Sequence, residues 1–172
     1  MRRHFKALDL NKEEYKEFIL ENIEIDPYFP QFCRKVKRQN ISFKIISGGF
    51  INAIEAILER AGFNSEEFEI YANRLLFEDE GIKVVFHHKL PECSQEYGPC
   101  GNCKVDHLKA IAEGKKIVYI GDGLTDRCAG KAADLIFAKG DLKEFLNQRS
   151  QDHVFFSNFK EVETRLFGDF VE

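Results

Sequence analysis

The sequence predicts an α/β fold, because segments with helical and with strand-like patterns alternate along its 172 residues. Two of the strand-like segments are apolar and run directly into glycine, at residues 45–49 and 117–123. Hydrophobic residues make up 44% of the chain and charged residues 31%, which is typical of a folded globular protein. The length suits a single domain with one sizeable core.

Composition excludes several functional classes. A net charge of -4 argues against nucleic acid as a partner, since such proteins carry a basic surface. No apolar run approaches the roughly 18 residues needed to cross a bilayer, and residues 1–14 lack the apolar stretch of a secretory signal. Five cysteines form an odd set that does not suggest a disulfide framework, so we expect a reducing, cytoplasmic location.

Two helices are predicted before residue 41. Asn11 and Glu14 have the spacing of a capping box at the start of the first helix, and Pro27 suits the first turn of the second. The apolar residues expected to share the inner faces are Tyr15, Phe18 and Ile19 in the first helix and Phe29, Phe32, Cys33 and Val36 in the second.

The remaining elements follow from the same two periodicities. A strand at 41–47 runs into a helix at 50–62 that Gly62 ends. Strands at 68–73 and 74–88 follow, the latter folded into a hairpin over Glu80-Gly81. Residues 89–103 show no clear periodicity. From there the predicted elements are a helix at 104–112, a strand at 116–121, a helix ending by 133, a strand at 134–138, a helix at 141–146, a strand at 153–156 and a helix at 158–167.

The sharpest chemical signal is a pair of carboxylates, Asp122 and Asp126, directly after the apolar strand. In open α/β sheets, ligands bind outside the carboxyl ends of the strands. Carboxylate oxygens in such a place suit Mg²⁺, which is usually held by one or two carboxylates together with water and substrate phosphate. The alternative is an ordinary turn, with Asp126 stabilising the N-terminus of the next helix.

Two weaker signals point to phosphate. Ser47, Gly48 and Gly49 lie between a strand and a helix, where a hydroxyl and backbone amides can bind an anion. Lys104 begins a later helix, where its charge could neutralise a phosphoryl group. Each has a plain alternative: a simple strand-to-helix turn for the first, and a solvated surface lysine for the second.

Taken together, these motifs resemble those of the haloacid dehalogenase-like phosphatases, in the branch that includes a methionine-salvage phosphatase. The resemblance covers nearly the whole chain, through IDPYFPQF, FKIISGGF, CGNCKVDHL, YIGDGLTDRCAGKAADLIFAK and VFFSNFKEVETRL. It implies that Ser47 and Lys104 hold the phosphoryl group, with amides from Gly48 and Gly49. It also implies that Asp122 binds Mg²⁺ and that Asp126 supports it.

One motif of that family has no match. Its first strand ends in DxDx[TV], which supplies the nucleophilic aspartate and the general acid-base, and nothing before residue 41 fits. In the family this strand lies mid-sheet, between the strands that carry Ser47 and Asp122. Without it the sheet closes on itself, another chain supplies the strand, or the chain is part of a longer product; unpaired edges would also favour homo-oligomers.

The cysteines allow a second metal. Cys93, Cys100, Cys103 and His107 could form a structural zinc site, since C-x₂-C is a zinc-like spacing. The same CGNCK segment belongs to the family resemblance, so a loop that shapes the surroundings of Lys104 is favoured. Cys33 and Cys128 are interpreted as small buried apolar residues on helices.

The resemblance predicts a Rossmann-like core with a parallel sheet, a small helical cap and a β-hairpin, and with the first core strand missing from the chain. Residues 1–38 would be a partial cap and 39–172 the core, with the hairpin and cysteine-containing loop at 68–103. The implied substrate is a small phosphorylated metabolite: first 2-hydroxy-3-keto-5-methylthiopentenyl-1-phosphate, otherwise phosphoserine, phosphocholine or phosphoethanolamine. The chain by itself would be inactive or weak, and a non-catalytic remnant that binds phosphate or metal is the alternative.

Overall fold

The computed structural model describes residues 10–79, 81–88, 101–112 and 114–168. The helices are α1 (Lys12–Asn22), α2 (Phe29–Arg38), α3 (Ile51–Arg60), α4 (Lys104–Ala112), α5 (Arg127–Lys131), α6 (Gly140–Asn147) and α7 (Phe159–Phe167). The strands are β1 (Lys44–Phe50), β2 (Glu69–Glu78), β3 (Gly81–Val85), β4 (Val118–Gly121), β5 (Leu135–Ala138) and β6 (Val154–Phe155). Short 3₁₀ turns lie at Ser65–Glu67 and Leu124–Asp126. The predicted α/β class is confirmed.

The described residues fall into two compact units. The first contains residues up to Ile25 and from Ser42 to Cys103, and the second contains Asp26–Ile41 and the residues from Lys104 onward. The predicted division into cap and core stays a prediction.

In the first unit, β1 pairs with β2 in parallel and β2 pairs with β3 in antiparallel register. The predicted hairpin is confirmed, with Glu78 paired to Gly81 at its turn. Helices α1 and α3 pack together, and α3 packs on β2. The buried apolar residues of this unit include Ile19, Ala56, Leu58, Ala72, Leu75 and Ile82.

Helix α1 begins as predicted, because the Asn11 side chain and Glu14 form the reciprocal capping box. Its predicted inner face is only partly right. Ile19 is buried, but Phe18 is 56% exposed. At the other end of the helix, the Arg60 guanidinium on α3 donates to the carbonyls of Leu20 and Ile23, which α1 leaves without helical partners.

The second unit holds a parallel sheet in the order β4-β5-β6. Helix α2 packs on α7 through edge-to-face rings: Phe29 and Phe159 lie 5.1 Å apart between centroids. Phe32, Cys33 and Val36 are buried as predicted. Other large buried residues of this unit include Phe137, Leu142, Phe145, Leu146, Phe156 and Val162.

Each sheet ends in a strand that carries a predicted motif. Among the described residues, β1, which contains Ser47, pairs on one side only, and so does β4, which leads into Asp122. No helix in the described part of the chain is long and apolar enough to cross a membrane.

Candidate active site

The Ser-Gly-Gly segment forms a bulge inside β1 rather than a turn after it. Ile46 pairs with Tyr71 and Phe50 pairs with Asn73, so residues 47–49 lie opposite Ala72 alone. Ser47 is half-buried, whereas Gly48 and Gly49 are exposed. The Gly49 amide donates to the Ser47 hydroxyl oxygen at 3.0 Å. The hydroxyl therefore has a fixed place and keeps its own proton to donate.

Two buried asparagines bind the backbone carbonyls of this bulge. The Asn73 side-chain amide donates to the Gly48 carbonyl at 3.0 Å, and that of Asn102 donates to the Ser47 carbonyl at 2.9 Å. Neither residue was predicted to belong to the site. An asparagine is uncommon in a strand interior, so Asn73 at the end of FEIYAN was a usable signal.

The second cluster is centred on Asp126, which is 3% exposed. Lys104 Nζ and the Tyr119 hydroxyl donate to its Oδ1, at 2.5 and 2.6 Å. The amides of Asp122 and Gly123 donate to its Oδ2, at 3.1 and 2.9 Å. Asp126 thus joins three parts of the unit: the predicted phosphate-binding lysine, the predicted metal-binding loop and a tyrosine on β4.

These contacts set the protonation states of the cluster. Burial alone would raise the pKa of Asp126, but the Lys104 ammonium, with its hydrogen bond, and the bonds from Tyr119 and Gly123 together lower the pKa below its usual range. Burial first, and then the Asp126 charge, raise the pKa of Tyr119. Asp126 is therefore an anion and Tyr119 a neutral donor at neutral pH.

Glycine at position 121 is required by this packing. A Cβ built there would lie 2.9 Å from Asp126 Oδ2 and 2.9 Å from the Tyr119 ring. Both contacts are closer than side chains normally allow, so residue 121 leaves space for the carboxylate.

Asp122 differs from Asp126 in its surroundings. Its side chain is exposed, and its carboxylate accepts no hydrogen bond from the part of the chain that the structure describes. Its backbone is fixed, because its carbonyl accepts from the Leu142 amide at 3.0 Å and lies against Gly140. An exposed carboxylate on a rigid loop fits Mg²⁺, whereas both Asp126 oxygens already accept hydrogen bonds from the protein.

The zinc prediction is untested. Cys93 and Cys100 lie outside the described residues. Cys103 and His107 are both buried. Within the described ranges, no group of three or more His, Cys, Asp or Glu side chains could hold a metal ion.

The structure therefore brings the predicted residues together in two sets. Ser47, Gly48 and Gly49 form one set in the first unit. Lys104, Asp122 and Asp126 form the other in the second unit. Tyr119 was not predicted to belong to the site because it lies in the apolar strand IVYI. Its hydroxyl was a usable signal, since a buried tyrosine hydroxyl usually has a hydrogen-bond partner.

Comparison with known proteins identifies the family. A family model described as "Putative Phosphatase" matches residues 1–154. The chain belongs to this family. Membership agrees with the resemblance of the motifs to the haloacid dehalogenase-like phosphatases.

Relatives of this chain include several proteins named 2-hydroxy-3-keto-5-methylthiopentenyl-1-phosphate phosphatase. The protein of that name from Bacillus pumilus (strain SAFR-032) is 34% identical over 156 residues, which is 90% of this chain and 65% of the relative. The one from Bacillus cereus (strain AH187) is 32% identical over 155 residues, covering 90% and 68%. The chain thus spans about two thirds of the length of these relatives.

Solved structures agree on the fold. A substrate-bound phosphoserine phosphatase complex aligns with a TM-score of 0.64 at 22% identity, covering 95% of this chain and 74% of that one. A phosphoserine phosphatase in apo form aligns with a TM-score of 0.62 at 24% identity, covering 94% and 76%. At such identities the likeness is evidence for the fold alone.

Proposed function

We propose that this chain is the phosphate- and metal-binding part of a magnesium-dependent phosphomonoester hydrolase for a small metabolite. The observation that carries the proposal is the Asp126 cluster. One buried carboxylate fixes both Lys104 and the loop that presents the exposed Asp122. A turn stabilised only by a helix N-terminus would need neither the lysine nor the tyrosine.

Lys104 is the phosphoryl-binding cation in this proposal. Its ammonium has three N–H donors, and the bond to Asp126 uses one of them. The Asp126 carboxylate accepts one of these N–H bonds and so orients the ammonium, with the result that little reorganisation is needed when a phosphoryl group binds.

In the first unit, Ser47 and the Gly48 amide are proposed to bind phosphoryl oxygens, while the Gly49 amide holds the Ser47 hydroxyl in place. The Ser47 oxygen accepts from the Gly49 amide and retains its proton, so the hydroxyl can donate to phosphate. Gly48 leaves space beside it, since a Cβ there would meet nothing within 4 Å.

Asp122 is the proposed Mg²⁺ ligand. The bound ion would shield the negative charge of the phosphoryl group and polarise its oxygens. The residues of this chain do the rest: the Leu142 amide and the Asp126 carboxylate hold the Asp122 backbone, so its side chain is presented in one place.

The nucleophile is proposed to come from an Asp-x-Asp segment that is not found in these 172 residues. The family resemblance implies that an aspartate attacks phosphorus and that water then cleaves the aspartyl-phosphate. Among the residues that the structure describes, β1 and β4 each pair on one side only, which supports this proposal because a further strand could pair with either edge.

The names of the curated relatives favour 2-hydroxy-3-keto-5-methylthiopentenyl-1-phosphate as substrate, with phosphoserine, phosphocholine and phosphoethanolamine as the other candidates. We propose a cytoplasmic location, which free, buried thiols at Cys33 and Cys103 support. We also propose that two copies of the chain could pair through the β1 or β4 edges.

One observation favours a second candidate function, a non-catalytic remnant that binds phosphate or metal. The sequence contains no Asp-x-Asp pair at all. Stoichiometric binding of zinc without any hydrolysis would favour this alternative.

Calorimetric titration tests the proposal. We expect the chain to bind Mg²⁺ in the presence of inorganic phosphate, and Asp122→Asn to abolish this binding. Asp152→Asn is the matched control, since Asp152 is an exposed acid in the same unit and should leave binding unchanged. Equal Mg²⁺ binding by wild type and Asp122→Asn would show that the proposed metal ligand is wrong.

A further inference from the structure

The peptide groups of the Ser47–Gly49 bulge are fixed by side chains distant in sequence. Asn102 Nδ2 donates to the carbonyls of Ser47 and Tyr71, both at 2.9 Å, so it ties β1 to β2 where regular pairing stops. Asn73 Nδ2 donates to the Gly48 carbonyl, and Asn73 Oδ1 accepts from the His87 amide at 3.0 Å.

Planarity of the peptide bond turns these contacts into a constraint on the amides. In a trans peptide the carbonyl and the following N–H point in opposite directions. Holding the Ser47 carbonyl on Asn102 therefore directs the Gly48 N–H away from Asn102. Holding the Gly48 carbonyl on Asn73 likewise directs the Gly49 N–H away from Asn73, where it donates to the Ser47 oxygen.

Burial restricts both asparagine side chains to orientations in which they are hydrogen-bonded. Asn73 is 3% exposed and Asn102 is 2% exposed. A buried side-chain amide without partners costs free energy, so these two are stable only in orientations that satisfy them. Within the described part of the chain, four hydrogen bonds link them to the backbone, and two of these end on the bulge.

We propose that Asn73 and Asn102 are positioning residues of the phosphate cradle, which set the direction of the Gly48 and Gly49 amides and, through Gly49, the place of the Ser47 hydroxyl. This inference rests on the proposed function, because it assumes that the bulge binds phosphate. Neither asparagine needs to touch the phosphate itself.

The same unit offers a matched control. Asn52 on α3 makes two hydrogen bonds to the backbone of Leu75, one from its amide to the carbonyl and one from the N–H to its oxygen. Like the other two asparagines, Asn52 bonds to the backbone of a strand, but both of its bonds are to Leu75 and not to residues 47–49. If these asparagines only stabilised the sheet through their bonds to its backbone, all three substitutions would have similar effects on phosphate binding.

Titration of the ¹⁵N-labelled full chain with inorganic phosphate, followed by NMR, tests the inference. We expect phosphate to shift the Gly48 and Gly49 amide resonances in the wild type. Asn102→Ala and Asn73→Ala should weaken phosphate affinity roughly tenfold, whereas Asn52→Ala should leave it within about twofold. Wild-type affinity in Asn102→Ala and Asn73→Ala, or an equal loss in Asn52→Ala, would overturn the proposal.

Spectra without phosphate separate this inference from the proposed function. If the wild type binds no phosphate, the proposed function fails, but the positioning role is still tested by the free protein. Asn102→Ala and Asn73→Ala should then move or broaden the Gly48 and Gly49 resonances, and Asn52→Ala should not. Should Asn102→Ala fail to fold, Asn102→Ser keeps one donor and should give an intermediate affinity; an unchanged Gly48 resonance in that variant would count against the proposal.

Discussion

Replacing Lys104 with methionine tests the charge balance of the Asp126 cluster. The side chains of Lys104 and Asp126 are 11% and 4% exposed, so this ion pair is shielded from water. Methionine keeps much of the side-chain volume and removes the ammonium, with both its charge and its hydrogen bond to Asp126. Loss of one partner from a buried pair strands the other charge, and it costs about 3–5 kcal/mol of unfolding free energy.

The size of this loss should be visible, because domains are typically stable by only about 5–15 kcal/mol. At roughly 2–4 °C per kcal/mol for a chain of this size, Lys104→Met should lower the melting temperature by about 6–20 °C. Urea unfolding followed by circular dichroism gives the same quantity independently. A loss below about 1 kcal/mol, the range of a surface ion pair, would refute the claim that this pair is buried and coupled.

A double variant sharpens the test. In Lys104→Met/Asp126→Asn the stranded charge is removed. The new side-chain carbonyl oxygen at position 126 can still accept from the Asp122 and Gly123 amides, while the new NH₂ group donates to the Tyr119 oxygen. The double variant should therefore be more stable than Lys104→Met alone. Equal or lower stability would mean that the destabilisation comes from packing and not from charge.

The pH dependence follows from the same cluster. The pKa of Asp126 is lower in the folded than in the unfolded chain, so its contribution to stability is complete above the ordinary carboxyl pKa of about 3.9 and is lost as the pH falls through the lower, folded value. Lys104→Met should abolish this acid-side loss, since burial then raises the carboxyl pKa. Parallel stability curves from pH 2 to 7 for the two proteins would contradict the assigned cause.

Three further outcomes are expected. Gly49→Ala should weaken phosphate binding severalfold, because its Cβ would lie 3.3 Å from the Ser47 hydroxyl oxygen, while Gly48→Ala, with open space, should bind as wild type; equal affinities would contradict the bulge geometry. Gly140→Ala should lose about 1–3 kcal/mol of unfolding free energy, since Gly140 has a φ of 53° and its Cβ would lie 2.9 Å from the Asp122 carbonyl oxygen; wild-type stability would disprove this. Asp122→Asn should abolish Mg²⁺ protection against thermal unfolding without lowering stability in the metal-free protein, and retained protection would move the metal elsewhere.

Local signals in the sequence account for most of the fold. The capping box at Asn11 and Glu14, the left-handed Gly62 that follows α3 and the hairpin at Gly81 are all specified by a few neighbouring residues. Phe18 was wrongly predicted to face inward. Helical periodicity shows which residues share a face, but not how much of that face the neighbouring elements cover.

The features of the site that could not be predicted from the sequence depend on contacts between residues far apart in the chain. Asn102 reaches Ser47 across 55 residues and Asn73 reaches Gly48 across 25, and no local pattern encodes either contact. The bulge was missed for a similar reason, because its existence depends on the register with β2. Asp122 and Asp126 were predicted as a pair, and only the structure shows that Asp122 is exposed whereas Asp126 is buried and hydrogen-bonded.

Release of inorganic phosphate from an aryl phosphate, with and without Mg²⁺, tests the central claim most directly. We predict no turnover by the 172-residue chain alone, and Mg²⁺-dependent turnover once an apolar strand ending in Asp-x-Asp-x-Thr is joined ahead of it. Asp122→Asn should abolish that turnover, and Asp152→Asn should not. Turnover by the chain alone that Asp122→Asn removes would show that a nucleophile already lies within it, and a folded fusion without turnover would contradict the assignment as a phosphatase.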